Sequence, residues 1–587
     1  MTPVQPDCAE TVGDRDPERL PATRTETRSE AGPLSWLEMP SRSRGIRFSS
    51  ADGWNQTSYA ALADLTERAA HGLLGLDVRP GDVVILIQAH EPAFVAMLFG
   101  AWRIGATACL LPPPGAYQSS DQYADFLRHA FSACAPSLVV VDPRVEHLVG
   151  VETASGVRCR LVNIAAVLDG AMAPSELPPL PTAPERLALI QFTSGSNAAG
   201  KAVRIPVSAL MANSRAIRRW LEWTEQDPVA SWLPLYHDMG LIACLVTPVV
   251  ARSDLWLMNP SHFIRDPAKY LHCFGTHGAR LTAMPNFALD YIVRHVSPAQ
   301  LQGCDFSEWR ALVVGAEPIH PPTLERFHAL LGPFGFRREA LLPAYGLAEA
   351  TLAATGVPLR EGWKAVRLSD LRAGIIDEPT HGSHVAATDA ATALVSCGPP
   401  LEGLKIAILD DAGDALPEGA IGEIFLTGES ICEGYAEPVR TRTGTFSPRG
   451  LRTGDAGALI RGELYVVGRF GDSLKVRGRT LFAEDIERAL RACDLGTTVA
   501  AAALGLEGGE PLVVVAVEEA DASRIEATMR GLQGRTEGAR LHVTSVPAGT
   551  IPRTSSGKVK RGRLWRILAD IRASDAVNAS GSGDHRK

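Results

Sequence analysis

Several features that mark particular classes of protein are missing or scarce in this sequence. Its ten cysteines include no C-x-x-C pair, which argues against a disulfide framework or a zinc site and for reduced thiols in the cytoplasm. No apolar run reaches the roughly 20 residues that a membrane helix needs, and the longest, residues 242–251, has the length of a buried strand. With a net charge of −8, the chain also has no basic excess for binding nucleic acid.

The two ends of the chain are predicted to lie outside the folded part. Residues 1–34 are rich in Pro, Asp, Glu, Arg and Thr, without the apolar stretch of a signal peptide, and we expect a disordered leader. Residues 574–587 contain mainly small and polar residues and are expected to form a loose tail. The full length of 587 residues exceeds what one hydrophobic core usually serves, so two or more domains are expected.

Between these ends, apolar runs alternate with amphipathic stretches in the order typical of α/β proteins. β-Branched residues predict strands at 83–87 and 138–141, and the spacing of apolar residues over 92–104 predicts a helix. This alternation favours layers of helices around largely parallel sheets. After about residue 395, short strands between Gly, Asp and Pro turns predict a small β-rich subdomain, and the final segment returns to helices and strands.

One loop in the middle of the chain has the composition of a phosphate-binding segment. Residues 187–192 read as a strand that leads into Thr/Ser/Gly-rich residues 193–201. The loop nearly matches the Walker pattern, but Ala202 replaces the hydroxyl that holds Mg²⁺, and extended chain rather than a helix follows Lys201. We therefore favour a nest of hydroxyl and backbone N–H groups for β- and γ-phosphates, with a plain surface turn as the alternative.

A second segment, residues 551–558, reads as a loop that presents one lysine near the C-terminus. Four further motifs lie between the two segments, at residues 232–240, 343–351, 451–455 and 465–469, and they combine aromatic, Gly, His and acidic residues in predicted turns. Two phosphate-directed segments so far apart in sequence indicate a nucleotide site that a second, mobile domain completes.

In these motifs the chain resembles the superfamily of adenylate-forming enzymes, which contains acyl-CoA synthetases, peptide-synthetase adenylation domains and luciferases. The phrases at 236–242, 315–318, 345–352 and 396–398 are most similar to the fatty acyl-AMP ligase branch. The resemblance spans roughly residues 35 to 570, with the motifs in the family's order.

The resemblance implies a fold and a domain division. It implies a large N-terminal adenylation domain of layered α/β subdomains and a small β-rich subdomain over residues 35–468, with an insertion at about 353–395. A small, mobile α+β C-terminal domain would follow over residues 469–573. The hinge between them falls on Gly471 and Asp472; glycine replaces the family's usual Asp or Lys but tolerates a large backbone rotation.

It also implies a reaction and its residues. Such enzymes join ATP and a carboxylic acid into acyl-AMP, release pyrophosphate, and pass the acyl group to a thiol. The implied ATP- and AMP-binding residues are Thr193, Ser194, Gly195, Ser196, Lys201, Gly315, Ala316, Glu317, Tyr345, Gly346, Leu347, Asp455 and Arg469. The implied catalytic residues are Lys558, Glu349 and His237. The implied acyl pocket contains His237, Met239, Gly240, Asn286 and Phe287.

The chemistry of these side chains fits the implied roles. Lys558 would bridge the carboxylate, the α-phosphate and the ribose, since lysine is a compact charge on a long stem. Glu349 would hold Mg²⁺, which prefers oxygen ligands. Tyr345 and the turn at Gly315 would enclose adenine, and Asp455 would accept hydrogen bonds from both ribose hydroxyls.

Several alternatives remain for the acceptor and for the acid. The insertion is linked in the family to poor use of CoA, so the resemblance favours the phosphopantetheine thiol of a separate acyl carrier protein, in polyketide or nonribosomal peptide biosynthesis. An acyl-CoA ligase and a freestanding amino-acid adenylation enzyme remain alternatives. The latter normally places an Asp in the pocket for the amino group, whereas the adjacent Asp238 belongs to the ligase-like phrase. A catalytically silent adenylate-binding protein is a fourth hypothesis, against which Glu349, Asp455 and Lys558 count.

Overall fold

The computed structural model describes residues 32–51, 53–87, 90–114, 120–144, 146, 159–170, 177–193, 200–375, 378–382, 393–437, 445–477, 479–492, 499–554 and 558–581. Most of the predicted leader lies outside these residues. At its end, however, Leu34 is already buried, and the 3₁₀ turn Ser35–Leu37 follows, with Trp36 buried in the first core. Packed chain therefore begins slightly before the predicted boundary at residue 35.

The first large sheet has seven strands within the described residues. In spatial order they are β20 (Gly434–Tyr435), β8 (Ala202–Pro206), β7 (Leu187–Phe192), β4 (Thr107–Leu110), β3 (Val83–Ile87), β5 (Leu138–Val141) and β6 (Arg160–Asn163). Strands β7, β4, β3, β5 and β6 run parallel, whereas β8 and β20 are antiparallel to their neighbours. Parallel strands are covered on both faces and are apolar throughout, which explains why β3, β5 and β7 were predicted correctly.

The second large sheet has eight strands in the described part of the chain. In spatial order they are β14 (Ala353–Gly356), β13 (Leu341–Gly346), β12 (Ala311–Gly315), β11 (Leu281–Pro285), β9 (Val229–Ser231), β10 (Leu255–Leu257), β1 (Gly45–Ser50) and β2 (Gly53–Ser58). Strands β14 and β2 are antiparallel to their neighbours, and the six strands between them are parallel. The carboxyl ends of these parallel strands therefore lie along one edge, where loops form ligand sites in open α/β sheets.

A small antiparallel sheet confirms the predicted β-rich subdomain. Its strands are β18 (Leu404–Leu409), β19 (Gly422–Gly428), β22 (Gly450–Ile460), β21 (Thr445–Ser447) and β23 (Glu463–Arg469). The predicted insertion contains its own three-stranded sheet, made of β16 (Thr380–His381), β15 (Lys364–Arg367) and β17 (Ala393–Val395). Strand β14 lies within the range predicted for the insertion but pairs with β13 in the eight-stranded sheet, so the separate three-stranded sheet begins after Gly356.

The C-terminal part forms separate sheets of its own. They consist of β24 (Ser473–Val476) with β25 (Arg479–Phe482), and of β26 (Ala500–Glu507), β27 (Glu510–Glu518) and β28 (Arg540–Val546). A distinct apolar core lies between this second sheet and the helices that cover it. The predicted α+β C-terminal unit after residue 469 agrees with this architecture, while its mobility stays a prediction.

Helices cover both large sheets and the C-terminal sheet. They are α1 (Tyr59–Gly75), α2 (Pro92–Arg103), α3 (Ser120–Cys134), α4 (Ile164–Asp169), α5 (Val207–Trp220), α6 (Thr247–Ala251), α7 (Pro260–Arg265), α8 (Pro267–Gly275), α9 (Asn286–His295), α10 (Pro321–Leu331), α11 (Leu368–Arg372), α12 (Ala483–Ala492), α13 (Ala522–Leu532) and α14 (Arg561–Gly581). Among the helices of the described residues, none is long and apolar enough to cross a bilayer.

Two predictions from the sequence were wrong. Residues 242–251 are helical rather than a buried strand: a π-helical segment, Met239–Val246, continues into α6. An apolar run that is buried on all sides has no periodicity that separates helix from strand. The loose tail predicted from 574 does not hold over residues 574–581, where α14 continues to Gly581 although most of these residues are weak helix formers; residues 582–587 lie outside the described part.

Candidate active site

A cavity of about 440 Å³ lies at the carboxyl edge of the eight-stranded sheet. The β7–β8 connection, the small antiparallel sheet and the C-terminal unit contribute its other walls. Of the predicted site residues, those in its lining are Thr193, Lys201, His237, Met239, Gly315, Ala316, Tyr345, Gly346, Leu347, Glu349, Asp455, Arg469, Gly471, Asp472 and Lys558. Residues that are far apart in sequence thus meet around one space.

The base of the predicted phosphate loop is closed by a pair of reciprocal hydrogen bonds. The backbone N–H of Thr193 donates to the carbonyl of Lys201 at 2.9 Å, and the backbone N–H of Lys201 donates to the Thr193 hydroxyl at 3.0 Å. Lys201 leads directly into strand β8, which differs from a Walker loop, where a helix follows the lysine. The predicted residues Ser194, Gly195 and Ser196 lie outside the described residues.

Glu349, Tyr435 and Lys201 form a connected group on one wall of the cavity. The Tyr435 hydroxyl donates to Oε1 of Glu349 at 2.7 Å, and Nζ of Lys201 lies 5.0 Å from the centre of the Tyr435 ring. Desolvation lowers the pKa of Lys201, and the Glu349 carboxylate opposes that shift. Burial, followed by the Glu349 charge, raises the pKa of Tyr435, so its hydroxyl keeps its proton and acts as a donor.

Asp455 holds two neighbours with its two carboxylate oxygens. Oδ2 accepts from the Tyr345 hydroxyl at 2.8 Å, and Oδ1 accepts from Nε of Arg469 at 2.9 Å. Asp455 and Arg469 are also register partners on strands β22 and β23. The Asp455 charge raises the pKa of Arg469, which therefore stays protonated. The carboxylate, the phenol and the guanidinium thus hold one another in place in the cavity lining.

The predicted adenine turn lies where β12 ends. Ala316 has a positive φ of 66°, a backbone conformation that residues other than glycine rarely adopt. It lines the cavity together with Gly315. A Cβ atom at Gly315 would come within 3.0 Å of the Ala344 carbonyl on the next strand. The tight backbone leaves a flat peptide surface at the strand end, next to Tyr345.

Lys558 enters the cavity from the C-terminal unit. Its backbone N–H donates to the Thr554 hydroxyl at 3.1 Å, and the Thr554 N–H donates to the Lys558 carbonyl at 2.7 Å, so the loop is closed below the side chain. Desolvation and the nearby Arg469 cation lower the pKa of Lys558, whereas Asp238, Glu317 and Asp455 oppose that shift. Desolvation raises the pKa of Asp238, whose carboxylate also accepts from the Met239 N–H at 2.8 Å.

Four predicted site residues are not among the cavity-lining residues of the described chain. Oδ1 of Asn286 instead accepts from the backbone N–H of His320 at 3.0 Å, and the Glu317 carboxylate accepts from the N–H of Phe287. A Cβ on Gly240 would lie 2.3 Å from the Pro234 carbonyl, so this glycine serves close packing. Asn286 and Glu317 therefore join neighbouring loops behind the cavity wall, and the exposed Phe287 packs its ring edge against Trp232.

The predicted hinge is held by an arginine that the sequence did not identify. Arg561, at the start of α14, contacts Asp472 at 3.0 Å, Glu484 at 3.3 Å and Glu487 at 2.8 Å. Burial raises the pKa of Glu484 to about 7; the Arg561 cation opposes this shift, and the nearby Glu487 and Asp472 carboxylates add to it. Sequence reasoning also missed Tyr435, Trp220 and Trp223, which line the cavity but belong to no recognised motif.

Comparison with known proteins decides the family. The profile of the family described as AMP-binding enzyme matches residues 40–436, more than half of the chain. The chain belongs to the AMP-binding enzyme family. The resemblance to adenylate-forming ligases, based on the sequence motifs, is confirmed.

Relatives of this AMP-binding enzyme are named as ligases of fatty acids. It is 30% identical over 535 residues to the medium-chain-fatty-acid–[acyl-carrier-protein] ligase JamA of Moorena producens, with 86% of this chain and 89% of JamA covered. It is 28% identical to the long-chain-fatty-acid–AMP ligase FadD26 of Mycobacterium tuberculosis, with 94% and 96% covered.

A solved structure extends the similarity to the whole fold. It comes from a study of fatty acyl-adenylate ligases from E. coli and L. pneumophila, and it is 27% identical to this chain with a TM-score of 0.80. The match covers 92% of this chain and 98% of the other. The predicted α/β fold with a large N-terminal and a small C-terminal part is therefore confirmed.

Proposed function

We propose that this enzyme activates a fatty or related carboxylic acid with ATP to acyl-AMP, releases pyrophosphate, and transfers the acyl group to the phosphopantetheine thiol of a separate carrier protein. The observation that carries the proposal is the arrangement around Lys558, which shares one cavity with Lys201, Glu349, Asp455 and Arg469. The charged side chains meet there and suit a nucleotide. The apolar part of the same cavity suits the hydrocarbon tail of an acid.

In the first half-reaction, a carboxylate oxygen of the acid attacks the α-phosphorus of ATP, and the bond from that phosphorus to the pyrophosphate oxygen breaks. Two anions must approach, and negative charge grows on the leaving group, so positioned cations lower the barrier. Lys558 bridges the carboxylate and the α-phosphate, while Lys201 and the loop at Thr193 hold the β- and γ-phosphates. Asp455 orients the ribose, with Tyr345 and the turn at Gly315 against the adenine.

The residues near the phosphates also fit Mg²⁺. Mg²⁺ is usually held by one or two carboxylates together with substrate phosphates, and Glu349 is a buried carboxylate on that wall of the cavity. When bound, Mg²⁺ would neutralise charge on the phosphates. Tyr435 fixes one oxygen of Glu349 by its hydrogen bond and thereby orients the carboxylate.

In the second half-reaction, the thiol sulfur attacks the acyl carbonyl, AMP departs, and the thiol proton passes to solvent. The predicted rotation about Gly471 and Asp472 would withdraw Lys558 and admit the thiol. In the present arrangement, the insertion packs on the hinge and the C-terminal unit: Leu368 and Leu371 share an apolar cluster with Phe470 and Phe482.

An ion pair between Arg372 of the insertion and Asp485 of α12 strengthens that contact. Because these contacts stabilise the arrangement with Lys558 in the cavity, rotation needs additional binding energy. A carrier protein that docks on the enzyme supplies more of that energy than free CoA, and this supports a carrier-bound thiol as acceptor. We further propose that the reaction takes place in the cytoplasm, where carrier proteins and ATP occur. Its product would serve polyketide or nonribosomal peptide biosynthesis.

The test is a two-stage product assay. The purified enzyme is incubated with ATP, Mg²⁺ and a panel of fatty, aryl and amino acids, and acyl-AMP is identified by mass. CoA or a phosphopantetheinylated carrier protein is then added. Fatty acyl-AMP followed by acylated carrier is the expected result. Efficient acyl-CoA formation would identify a CoA ligase, aminoacyl-AMP an amino-acid adenylation enzyme, and no adenylate with any acid a silent binding protein.

A further inference from the structure

The cavity has an apolar arm that extends away from the proposed nucleotide site. We call this arm the acyl channel. Its far end consists of side chains from the last turn of α5, the following loop and the first residues of two strands: Ile217, Trp220, Leu221, Trp223, Val229 and Leu281. Between this end and Lys558, the walls are formed by the π-helical segment Met239–Val246 and by strands β11 to β13.

The strand register gives the length of the channel. Leu281 is the register partner of both Val229 and Ala311 and marks the amino ends of the strands, whereas Pro285 and Gly315 pair at the carboxyl ends. Four residues separate the two levels, which corresponds to about 13 Å at about 3.3 Å per residue. An extended hydrocarbon chain advances roughly 1.3 Å per carbon, given C–C bonds of about 1.5 Å at tetrahedral angles, so the channel holds about ten carbons.

Two fixed tryptophans close the far end. Nε1 of Trp220 donates to the Val357 carbonyl at 2.8 Å, and the indole lies so close to Gly356 that a Cβ there would come within 2.1 Å of the ring. Nε1 of Trp223 donates to the buried Ser253 hydroxyl at 2.9 Å. Both rings are therefore held by a hydrogen bond from the indole N–H, and Trp220 is also packed tightly against Gly356. Neither ring can swing aside without losing its hydrogen bond.

Within the described part of the chain, the far end offers no side-chain partner for a polar terminus. Its six lining residues are uncharged, and both indole N–H groups are already used within the protein. Further along the channel, the Thr282 hydroxyl is engaged with the Tyr270 hydroxyl at 2.6 Å. A carboxylate, amine or hydroxyl at the end of the acid would be buried without compensation, which is unfavourable.

We propose that Trp220 and Trp223 set the chain length of the acid, and that the preferred substrate is a medium-length, apolar acid of about ten carbons. This inference rests on the proposed function, because it assigns the apolar arm to the acyl chain.

The test compares kcat/KM for acyl-AMP formation over saturated acids from six to eighteen carbons. For the wild type, kcat/KM should rise by about fourfold per added methylene, as expected for one buried CH₂, until about ten carbons, and then fall. Trp220→Leu should move the optimum to longer acids by at least about two carbons, because a large side chain at the closed end is shortened.

A second variant acts in the opposite direction. Ile217 lies one helical turn before Trp220 and lines the same channel, so Ile217→Phe should move the optimum to shorter acids. Trp54→Leu is the matched control: Trp54 is a half-buried tryptophan on β2 that is not among the cavity-lining residues of the described chain, and the wild-type profile should persist. Melting curves establish that each variant is folded.

The outcomes separate this inference from the proposed function. A peak near ten carbons that moves in opposite directions in the two variants supports it. Acyl-AMP formation that is equally efficient with sixteen- and eighteen-carbon acids, or an unchanged profile in both folded variants, overturns the inference while the proposed function stands. If no acid yields acyl-AMP, the proposed function fails, and the channel assignment fails with it.

Discussion

Replacing Tyr435 with phenylalanine tests the wall of the cavity where the phosphates and Mg²⁺ are proposed to bind. The substitution removes the hydroxyl that donates to Glu349 at 2.7 Å but keeps the ring that lies 5.0 Å from Nζ of Lys201. Removing a partner that orients a metal-binding carboxylate typically lowers metal affinity by about 10- to 100-fold. We therefore expect Tyr435→Phe to raise the Mg²⁺ concentration for half-maximal adenylation by that factor.

Tyr435→Ala separates the second contribution of this residue. It also removes the ring beneath Lys201, a cation–π contact worth about 0.5–2 kcal/mol, so KM for ATP should rise by a further factor of about 2 to 30. Pyrophosphate release measured against Mg²⁺ and against ATP gives both constants.

Tyr291→Phe is the control for these variants. Its hydroxyl donates a hydrogen bond as that of Tyr435 does, but the acceptor is the backbone carbonyl of Ile264. Tyr291 is not among the cavity-lining residues of the described chain. If Tyr435→Phe is folded and keeps the wild-type Mg²⁺ dependence, then Tyr435 does not orient Glu349 for the metal, and the reasoning is refuted.

Two further predictions concern the C-terminal unit. Lys558→Ala should slow adenylation by about 10²–10³, the usual effect of losing one preorganised donor, while supplied acyl-AMP is still transferred to a carrier; a near wild-type rate of pyrophosphate release would refute its role. Glu484, with a pKa raised to about 7, holds more protons in the folded than in the unfolded chain. Its contribution to the free energy of unfolding should therefore decline as pH rises from about 4.5 to 7, by up to about 3 kcal/mol. Urea unfolding of Glu484→Gln should lose that decline, and an unchanged pH dependence would contradict the assignment.

Local sequence patterns predicted the parts of the fold that local physics determines. Strands β3, β5 and β7 are buried on both faces, so their β-branched runs were sufficient. The helix over residues 239–251 was mistaken for a strand because burial on all sides removes the periodicity that distinguishes the two. The helical continuation over residues 574–581 was missed because Ser, Asp, Asn and Gly are weak helix formers, so the composition favoured a loose chain.

The site residues were likewise predicted where they lie in motifs and missed where their position depends on the fold. Lys201, Asp455 and Lys558 lie in recognisable motifs, and the fold brings them to one cavity. The directions of Asn286 and Phe287 were not visible from the sequence, and the structure turns both away from the cavity lining toward neighbouring loops.

Residues missed by the sequence share a physical reason. Tyr435 sits on a two-residue strand, β20, and the pairing of β20 with β8 brings it next to the phosphate loop. Trp220 and Trp223 reach the cavity because α5 contacts strand β14 of the eight-stranded sheet as well as β7 and β8 of the seven-stranded sheet. A tryptophan at a helix end carries no functional signal by itself. Their importance depends on tertiary neighbours, which single-sequence patterns do not reveal.

The fate of a preformed acyl adenylate tests both proposed half-reactions in one experiment. Wild-type enzyme is loaded with ATP, Mg²⁺ and a ten-carbon acid, excess ATP is removed, and equal thiol concentrations of CoA or a phosphopantetheinylated carrier protein are offered. We expect acyl-AMP to form in the first stage and the carrier to be acylated in preference to CoA in the second. Absence of acyl-AMP would contradict the proposed chemistry, and faster transfer to CoA would contradict the proposed acceptor.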